Sequence, residues 1–196
     1  MNIEDIKKLR ESTGAGMMDA KSALEEAKGN YDEAIKVLRK KGLAKAAKKA
    51  DRNAAIGVIE SYVHGGKIGV LVEVNCETDF VARTDDFKEF TRNVAMHIAA
   101  ANPVYLNSDE IPEDELNKEM DIIKEEVKAS GKPAEHAEKI IEGKLAKWYE
   151  EVCLNNQSFV KDPAQTIEEL RQAIVAKLGE NIVIARFSRM EVGSIG

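Results

Sequence analysis

Residues 68–83 read IGVLVEVNCETDFVAR and join a predicted strand to the start of a predicted helix. The run from Ile68 to Val72 is apolar on both faces, which predicts a central strand covered on each side. The turn that follows carries a bare Phe80, whereas turns usually carry Gly, Asn or Ser. Phe80 therefore either fills the protein's own core or is meant for contact with another molecule.

A small sheet is predicted around this strand. A second β-branched run, IGVIESYV at 56–63, precedes it and is separated from it by His64-Gly65-Gly66-Lys67. Gly-Gly between two such runs predicts a β-hairpin. The alternating run IVIARFSRMEV at 182–192 predicts a third strand. The expected sheet is three-stranded and largely antiparallel.

The first fifty residues predict three short helices with apolar stripes. The first ends near Thr13, the second stops at Gly29, and the third closes at Gly42. Asn30 resembles an N-cap for the third helix. Such a miniature bundle has too little core to be very stable alone, so its natural role is to present a surface.

Helices also dominate the pattern after the hairpin. A helix capped within 84–86 carries an apolar stripe from Phe87 to Ala101. Two helices at about 113–130 and 134–152 are joined by a turn at Gly131-Lys132-Pro133, which predicts an antiparallel helical hairpin. A further helix is expected over 163–178, stopping at Gly179.

Composition indicates a soluble globular protein, with 43% apolar and 33% charged residues. No apolar run approaches the roughly 18 residues of a membrane span, and the N-terminal residues lack the apolar segment of a secretory signal. Cys76 and Cys153 have no metal or redox spacing. We therefore expect a reduced, cytoplasmic protein with no membrane partner.

Charge is unevenly distributed along the chain. Residues 1–52 hold 13 Lys and Arg against 9 Asp and Glu, although the whole chain has a formal net charge of −6. The basic residues peak between Lys40 and Arg52, a pattern that first suggests nucleic acid. Because no aromatic residue interleaves with them and the chain is acidic, a solvated Ala-rich connector helix is the simpler interpretation.

Enzyme signatures are absent from the sequence, which contains no P-loop, GxGxxG, HExxH or GxSxG motif. Cys76, His64 and Asp79 supply the residue types of a nucleophile, a base and an orienting group. Nothing in the pattern requires them to converge, and a Cys at the end of an apolar strand is usually an inert core residue. We expect no covalent catalysis, no cofactor and no metal site.

Four long stretches resemble, in order, the elongation factor Ts family, the nucleotide exchange factors of the GTPase elongation factor Tu. They are LRESTGAGMMDAKSALEEAKGNYDEAIKVLRKKG at 9–42, KAAKKADRNAAIG at 45–57, GVLVEVNCETDFVAR at 69–83 and SGKPAEHAEKIIEGKLAKWYEEVCLNNQSFVKDP at 130–163. The resemblance implies a helical module similar to a ubiquitin-associated (UBA) domain, with a basic linker helix, over 1–54. It implies an α+β core over 55–196 that includes the hairpin at about 113–152.

The resemblance also implies which residues bind the partner. Thr78, Asp79, Phe80 and Val81 match a family segment that enters between helices of the GTPase beside its Mg²⁺ site. Phe80 is then the wedge, and Asp79 is its polar companion. The implied role is to bind elongation factor Tu with GDP and to promote GDP release, so that GTP can bind.

Further partner contacts are implied elsewhere in the chain. Lys21 matches a family lysine near the partner's nucleotide-binding domain, and Leu178-Gly179 stands where the family commonly has Ile-Gly near the partner's phosphate loop. His64 lies in a pattern found in a second core subdomain of longer members. Val160 matches a contact to a distal domain of the partner.

The chain resembles the short form of the family, which implies a symmetric homodimer that supplies the missing core half. His64 and Phe80 facing one GTPase then come from different subunits. An RNA-binding accessory protein of translation is the alternative function that the basic segment leaves open, although we expect no direct nucleic-acid partner.

Overall fold

The computed structural model describes residues 2–130 and 136–194, which divide between two compact units. The first unit comprises Met1–Glu60, Val72–Asn93 and Glu169–Ala185, and the second comprises Ser61–Leu71, Val94–Glu168 and Arg186–Gly196. Each unit is assembled from stretches distant in the sequence. The domain boundary expected near residue 54 stays a prediction.

The fold is α+β, as predicted. Its helices are α1 (Ile3–Thr13), α2 (Met17–Glu26), α3 (Tyr31–Ala47), α4 (Asp79–Ala82), α5 (Asp85–Ala101), α6 (Glu113–Ala129), α7 (Ala137–Val152) and α8 (Ile167–Leu178). Its strands are β1 (Ile56–His64), β2 (Ile68–Cys76), β3 (Ser158–Phe159), β4 (Asp162–Thr166) and β5 (Val183–Glu191). In the described parts of the chain, no helix combines the length and apolar character needed to cross a membrane.

The N-terminal helices form a small bundle in the first unit. The Asn2 side chain caps α1, which ends at Gly14 with a positive φ of 66° that a Gly adopts without strain. Asn30 caps α3 by accepting a hydrogen bond from the backbone N–H of Glu33 at 3.1 Å, as expected. The core of the bundle consists of the buried residues Ile6, Leu9, Ala20, Ala23, Leu24 and Ala34.

The third helix does not close at Gly42, so that prediction is wrong. Helix α3 continues through Gly42 to Ala47, so the basic segment is helical up to Ala47 as an extension of α3, and its remaining residues from Lys48 to Arg52 lie in turns. A helical Gly costs only about 1 kcal/mol relative to Ala, and the Ala-rich residues that follow favour the helix. A Cβ at position 42 would lie 3.8 Å from the Cβ of Ala176, an ordinary packing distance.

The three-stranded sheet has the order β1-β2-β5 and is antiparallel, so β2 is central as predicted. The prediction that β2 is covered on both sides is wrong. Val70, Val72, Val74 and Cys76 are buried, whereas Leu71 on the opposite face is 53% exposed. Apolar residues on both faces of a strand thus do not ensure that both faces are covered.

Helix α5 buries the predicted stripe, with Phe87, Phe90, Val94 and Ile98 all inaccessible or nearly so. Helices α6 and α7 pack against each other as the expected hairpin, and the Lys144 ammonium lies 2.6 Å from the Glu126 carboxylate. The predicted turn at 131–133 lies outside the described residues.

Helix α8 begins later than the predicted residue 163. Residues Asp162–Thr166 instead form β4, which pairs antiparallel with β3 through Ser158↔Thr166 and Phe159↔Asp162. The Pro at position 163 lacks an N–H and fits a short edge strand. The helix ends before Gly179, whose φ of 80° matches the predicted stop.

The N-terminal bundle provides a test of this packing. Leu24→Ala should lower the free energy of unfolding by about 2–5 kcal/mol, because it opens a cavity among buried side chains. Met18→Ala on the same helix should change it by less than about 0.5 kcal/mol, because Met18 is 74% exposed. Urea unfolding followed by circular dichroism measures both, and equal midpoints for the two variants would contradict this core.

Candidate protein-binding surface

Phe80 lies in the single-turn helix α4, directly after the central strand. The Thr78 hydroxyl caps this helix by accepting a hydrogen bond from the Val81 N–H at 3.4 Å. Phe80 is 81% exposed, whereas Ala82 in the same turn is buried. The two open interpretations of Phe80 are thereby separated, because its ring does not fill the protein's own core.

The backbone that leads into α4 is held by Glu180. One carboxylate oxygen of Glu180, Oε2, accepts hydrogen bonds from the backbone N–H groups of Glu77 at 3.1 Å and Thr78 at 3.0 Å. The other oxygen, Oε1, accepts from the Thr78 hydroxyl at 2.7 Å. Hydrogen bonds to an ionised carboxylate are about twice as strong as neutral ones. The loop is therefore anchored immediately before Phe80.

A second set of bonds ties the same region to the end of the basic segment. The Glu77 carboxylate accepts from the backbone N–H of Asn181 at 2.6 Å. The buried side chain of Asn181 donates to the carbonyl oxygens of Ala50 at 3.2 Å and Arg52 at 2.9 Å. The Lys49 ammonium donates to the carbonyl oxygen of Gly179. Three separate stretches of chain thus meet at Glu180 and Asn181.

Sequence reasoning missed both Glu180 and Asn181. Their bonds to Glu77 and Thr78 join residues 102–104 positions apart, so no local periodicity reports them. The sequence offers one indication of Glu180, which is that it directly follows the Leu178-Gly179 pair implied by the resemblance. The structure brings Gly179 and the Thr78 loop into one neighbourhood through these bonds.

Other candidate residues of the first unit differ in accessibility. Leu178 is half-buried at the end of α8, and Gly179 is exposed. Lys21 is exposed on α2, where its ammonium lies 3.9 Å from the Glu25 carboxylate. Asp79 is exposed and pairs with Arg83 at 2.9 Å, four residues later. None of the described contacts links Lys21 to the Thr78–Val81 loop.

His64 and Val160 belong to the second unit. His64 is exposed at the end of β1, where its ring stacks on Tyr62 with centroids 6.2 Å apart. Val160 is 43% exposed between β3 and β4. The backbone N–H of Val160 donates to Nδ1 of the buried His97 at 3.3 Å, which fixes this turn.

His97 is a neutral core residue. Because Nδ1 accepts from Val160, the ring proton lies on Nε2 and is donated to the Gln157 side-chain oxygen at 3.0 Å. Burial lowers the pKa of His97 below its ordinary value, and the hydrogen bond to Gln157 opposes this shift only partly. The turn that contains Val160 is thus supported by a hydrogen bond that requires an unprotonated Nδ1 on His97.

The cysteine chemistry considered above has no support in the geometry. Cys76 is fully buried, and its thiol donates to the carbonyl oxygen of Thr78 at 3.1 Å. Burial, with a smaller contribution from Glu180, raises the pKa of the Cys76 thiol and disfavours the nucleophilic thiolate. Among residues 2–130 and 136–194, no three His, Cys, Asp or Glu side chains cluster as metal ligands.

The fold is α+β, and the distinguishing feature of this surface is an anchored segment that exposes Phe80. A family model described as Elongation factor TS matches residues 1–174. Proteins named Elongation factor Ts are similar over nearly the whole chain. That of Fervidobacterium nodosum is 58% identical over 98% of both chains, and that of Herpetosiphon aurantiacus is 54% identical over 99% of this chain and 98% of its own.

The chain therefore belongs to the elongation factor Ts family. A third relative, from Carboxydothermus hydrogenoformans, is 55% identical over 96% of this chain and 87% of its own. The similarity covers the anchored loop and the bundle alike. The protein is accordingly a nucleotide exchange factor of translation elongation.

Acid should destabilise the protein through His97. Its folded-state pKa lies below the ordinary value of 6.5, so the unfolded chain binds the proton more readily. The free energy of unfolding should therefore fall as the pH drops below about 6.5. Urea unfolding at pH 8 and pH 5 measures this loss.

Two variants test whether His97 causes this loss of stability at low pH. His97→Gln should flatten the dependence on pH, while His136→Gln, which alters an exposed side chain, should leave it unchanged. A pH dependence that survives His97→Gln intact would assign the destabilisation to other groups.

Proposed function

We propose that this protein binds elongation factor Tu carrying GDP, disturbs its Mg²⁺ and phosphate site, and promotes release of GDP so that GTP can bind. It acts in the cytoplasm, where translation takes place. The observation that carries the proposal is the 81% exposure of Phe80 on a loop anchored by Glu180. Single exposed apolar side chains are common on protein surfaces, but Phe80 is the most exposed large apolar residue in the described parts of the chain, and the backbone that carries it is anchored.

The mechanism is thermodynamic linkage. A factor that binds the empty GTPase better than the loaded one weakens nucleotide binding by the same ratio. Mg²⁺ is a sensitive target because it demands nearly ideal octahedral geometry. Insertion of Phe80 between supporting helices would degrade that geometry without contact with the nucleotide.

The energy available from Phe80 is sufficient for part of this effect. Burial of a Phe side chain is worth about 1.5–3 kcal/mol, which corresponds to about one to two factors of ten in an equilibrium constant. The remaining coupling comes from Leu178-Gly179 near the partner's phosphate loop, and from Lys21 on the UBA-like N-terminal module. No covalent step is needed, so the protein is an exchange factor rather than a bond-forming enzyme.

RNA binding is the alternative, and the state of the basic segment weighs against it. Lys41 pairs with Glu26 at 3.0 Å and Lys45 with Asp19 at 2.7 Å, while Lys49 binds the Gly179 carbonyl. These three lysines thus form ion pairs or hydrogen bonds within the first unit. A site that neutralises phosphates needs several available cations on one face.

Removal of the wedge tests the proposal directly. Phe80→Ala should slow the release of fluorescent GDP from elongation factor Tu by about 10- to 100-fold at subsaturating factor. The physical reason is the loss of the apolar area that the partner would bury. Stopped-flow fluorescence measures the release rate.

Two controls belong with this measurement. Ile122→Ala removes another exposed apolar side chain, on α6, and should leave the release rate unchanged. The urea midpoint of Phe80→Ala should equal that of the parent, since the ring is mostly in solvent. If GDP is released as fast with Phe80→Ala as with the parent protein, Phe80 has no part in the mechanism.

We further propose that the working form is a symmetric homodimer in which His64 and Phe80 facing one GTPase come from different subunits. Support comes from four exposed apolar side chains in the second unit: Val63 at 68%, Leu71 at 53%, Met190 at 75% and Val192 at 75%. The backbone N–H of Val192 donates to the Lys67 carbonyl at 2.9 Å, which links the end of β5 to the start of β2. Apolar area of this kind favours self-association.

Sedimentation velocity should therefore give the mass of a dimer at tens of micromolar. Val63→Asp should shift the protein towards the monomer, because a charge would be buried in the interface. Val104→Asp alters a similarly exposed residue outside the sheet, at 60%, and is the matched control. A parent protein that sediments as a monomer at that concentration would rule out the dimer.

A further inference from the structure

We propose that Glu180 is a positioning residue for the wedge: its carboxylate holds Glu77 and Thr78 so that Phe80 meets the partner in one fixed orientation. The inference rests on the proposed function, because it concerns how the same loop engages the GTPase. It assigns to Glu180 a role in exchange without contact with nucleotide or Mg²⁺.

The bonding pattern is concentrated on the residues that set the direction of α4. Oε2 of Glu180 accepts two successive backbone N–H groups, at 3.1 Å and 3.0 Å, which fixes the peptide planes at Glu77 and Thr78. Phe80 follows Thr78 by only two residues. Rotation of this stretch would break both bonds at once.

Thr78 extends the same restraint into the helix. Its hydroxyl donates to Glu180 Oε1 at 2.7 Å and accepts from the Val81 N–H at 3.4 Å. One hydroxyl thus connects the carboxylate to the first turn of the helix that carries Phe80. Linked hydrogen bonds of this kind strengthen one another. The orientation of α4 therefore depends on Glu180 as well as on its own cap.

Such an anchor is useful because an ordered loop loses little conformational entropy on binding. A free single-turn helix would be marginal in water, so the ordering has to come from tertiary bonds. Glu180 also adjoins Leu178-Gly179, the other predicted contact near the GTPase's nucleotide.

The test compares Glu180→Ala with Glu180→Gln. A Gln side chain can place its carbonyl oxygen where Oε2 accepts both backbone N–H groups, and its amide can donate to the Thr78 hydroxyl. Glu180→Ala should therefore slow GDP release by about tenfold, whereas Glu180→Gln should stay within about threefold of the parent. Glu142→Ala, which alters an exposed Glu on α7, should have no effect.

Amide hydrogen exchange on the free protein provides a readout that does not depend on the partner. The Glu77 and Thr78 amides should lose protection in Glu180→Ala and keep most of it in Glu180→Gln. GDP release from elongation factor Tu should be no slower with the double variant Phe80→Ala/Glu180→Ala than with Phe80→Ala alone, because Glu180 acts through Phe80. An additive loss of rate would show that Glu180 acts elsewhere and would overturn the proposal.

The remaining outcomes are also decisive. If GDP leaves elongation factor Tu as fast with Glu180→Ala as with the parent protein, the positioning role is overturned. This holds even if release with Phe80→Ala is slow. Parental rates for both Phe80→Ala and Glu180→Ala, with amide protection lost in the latter, show instead that the proposed function of the wedge has failed.

If Glu180→Ala does not fold, Thr78→Val removes the hydroxyl link at nearly constant volume and should slow release by several-fold; a parental rate again overturns the proposal.

Discussion

The pairing of β2 between β1 and β5 is the constraint on which the rest of the structure depends. It places Val70, Val72, Val74 and Cys76 in one buried row. Because the side chains of a strand alternate, this burial determines which residues leave the sheet at its end. The chain emerges directly after Cys76, and a slip of one residue would turn the buried row to the opposite face. The position of the Thr78–Val81 loop is therefore set by sheet register.

The loop combines two opposite requirements. Phe80 is exposed, so its ring has little stabilising role in the free protein, whereas the backbone around it is heavily hydrogen-bonded. A carboxylate that accepts three hydrogen bonds compensates for the missing apolar burial. Stability rests on the hydrogen bonds of the backbone, and the binding that we propose rests on the ring of Phe80, so that one can be altered without the other. This separation suits the insertion that we propose, which needs no covalent step.

The basic segment has a structural role that its charge alone does not indicate. Lys49 and the carbonyl groups of Ala50 and Arg52 bind Gly179 and Asn181, so the chain leaving α3 is joined to the segment that follows α8. Lysines of α3 pair with acidic residues of α2. Lys-rich sequence is often assigned to nucleic acid, and here local ion pairs and backbone contacts account for much of it. The interpretation of this segment as a solvated connector helix is wrong in part, because α3 ends at Ala47 and the contacts of Lys49, Ala50 and Arg52 are made from the turns that follow it.

The sequence by itself determined the three strands, the hairpin and the helical stripes, because alternation and 3.6-residue spacing are encoded within a few neighbouring residues. It also marked Phe80 as unusual, but the local pattern left its direction undecided. Only the tertiary structure decided that Phe80 is exposed, that Leu71 lies on an uncovered face, and that Glu180 anchors Thr78. Exposure depends on the packing of the whole chain, and the bond between Glu180 and Thr78 joins residues 102 positions apart, so local spacing carries no record of either.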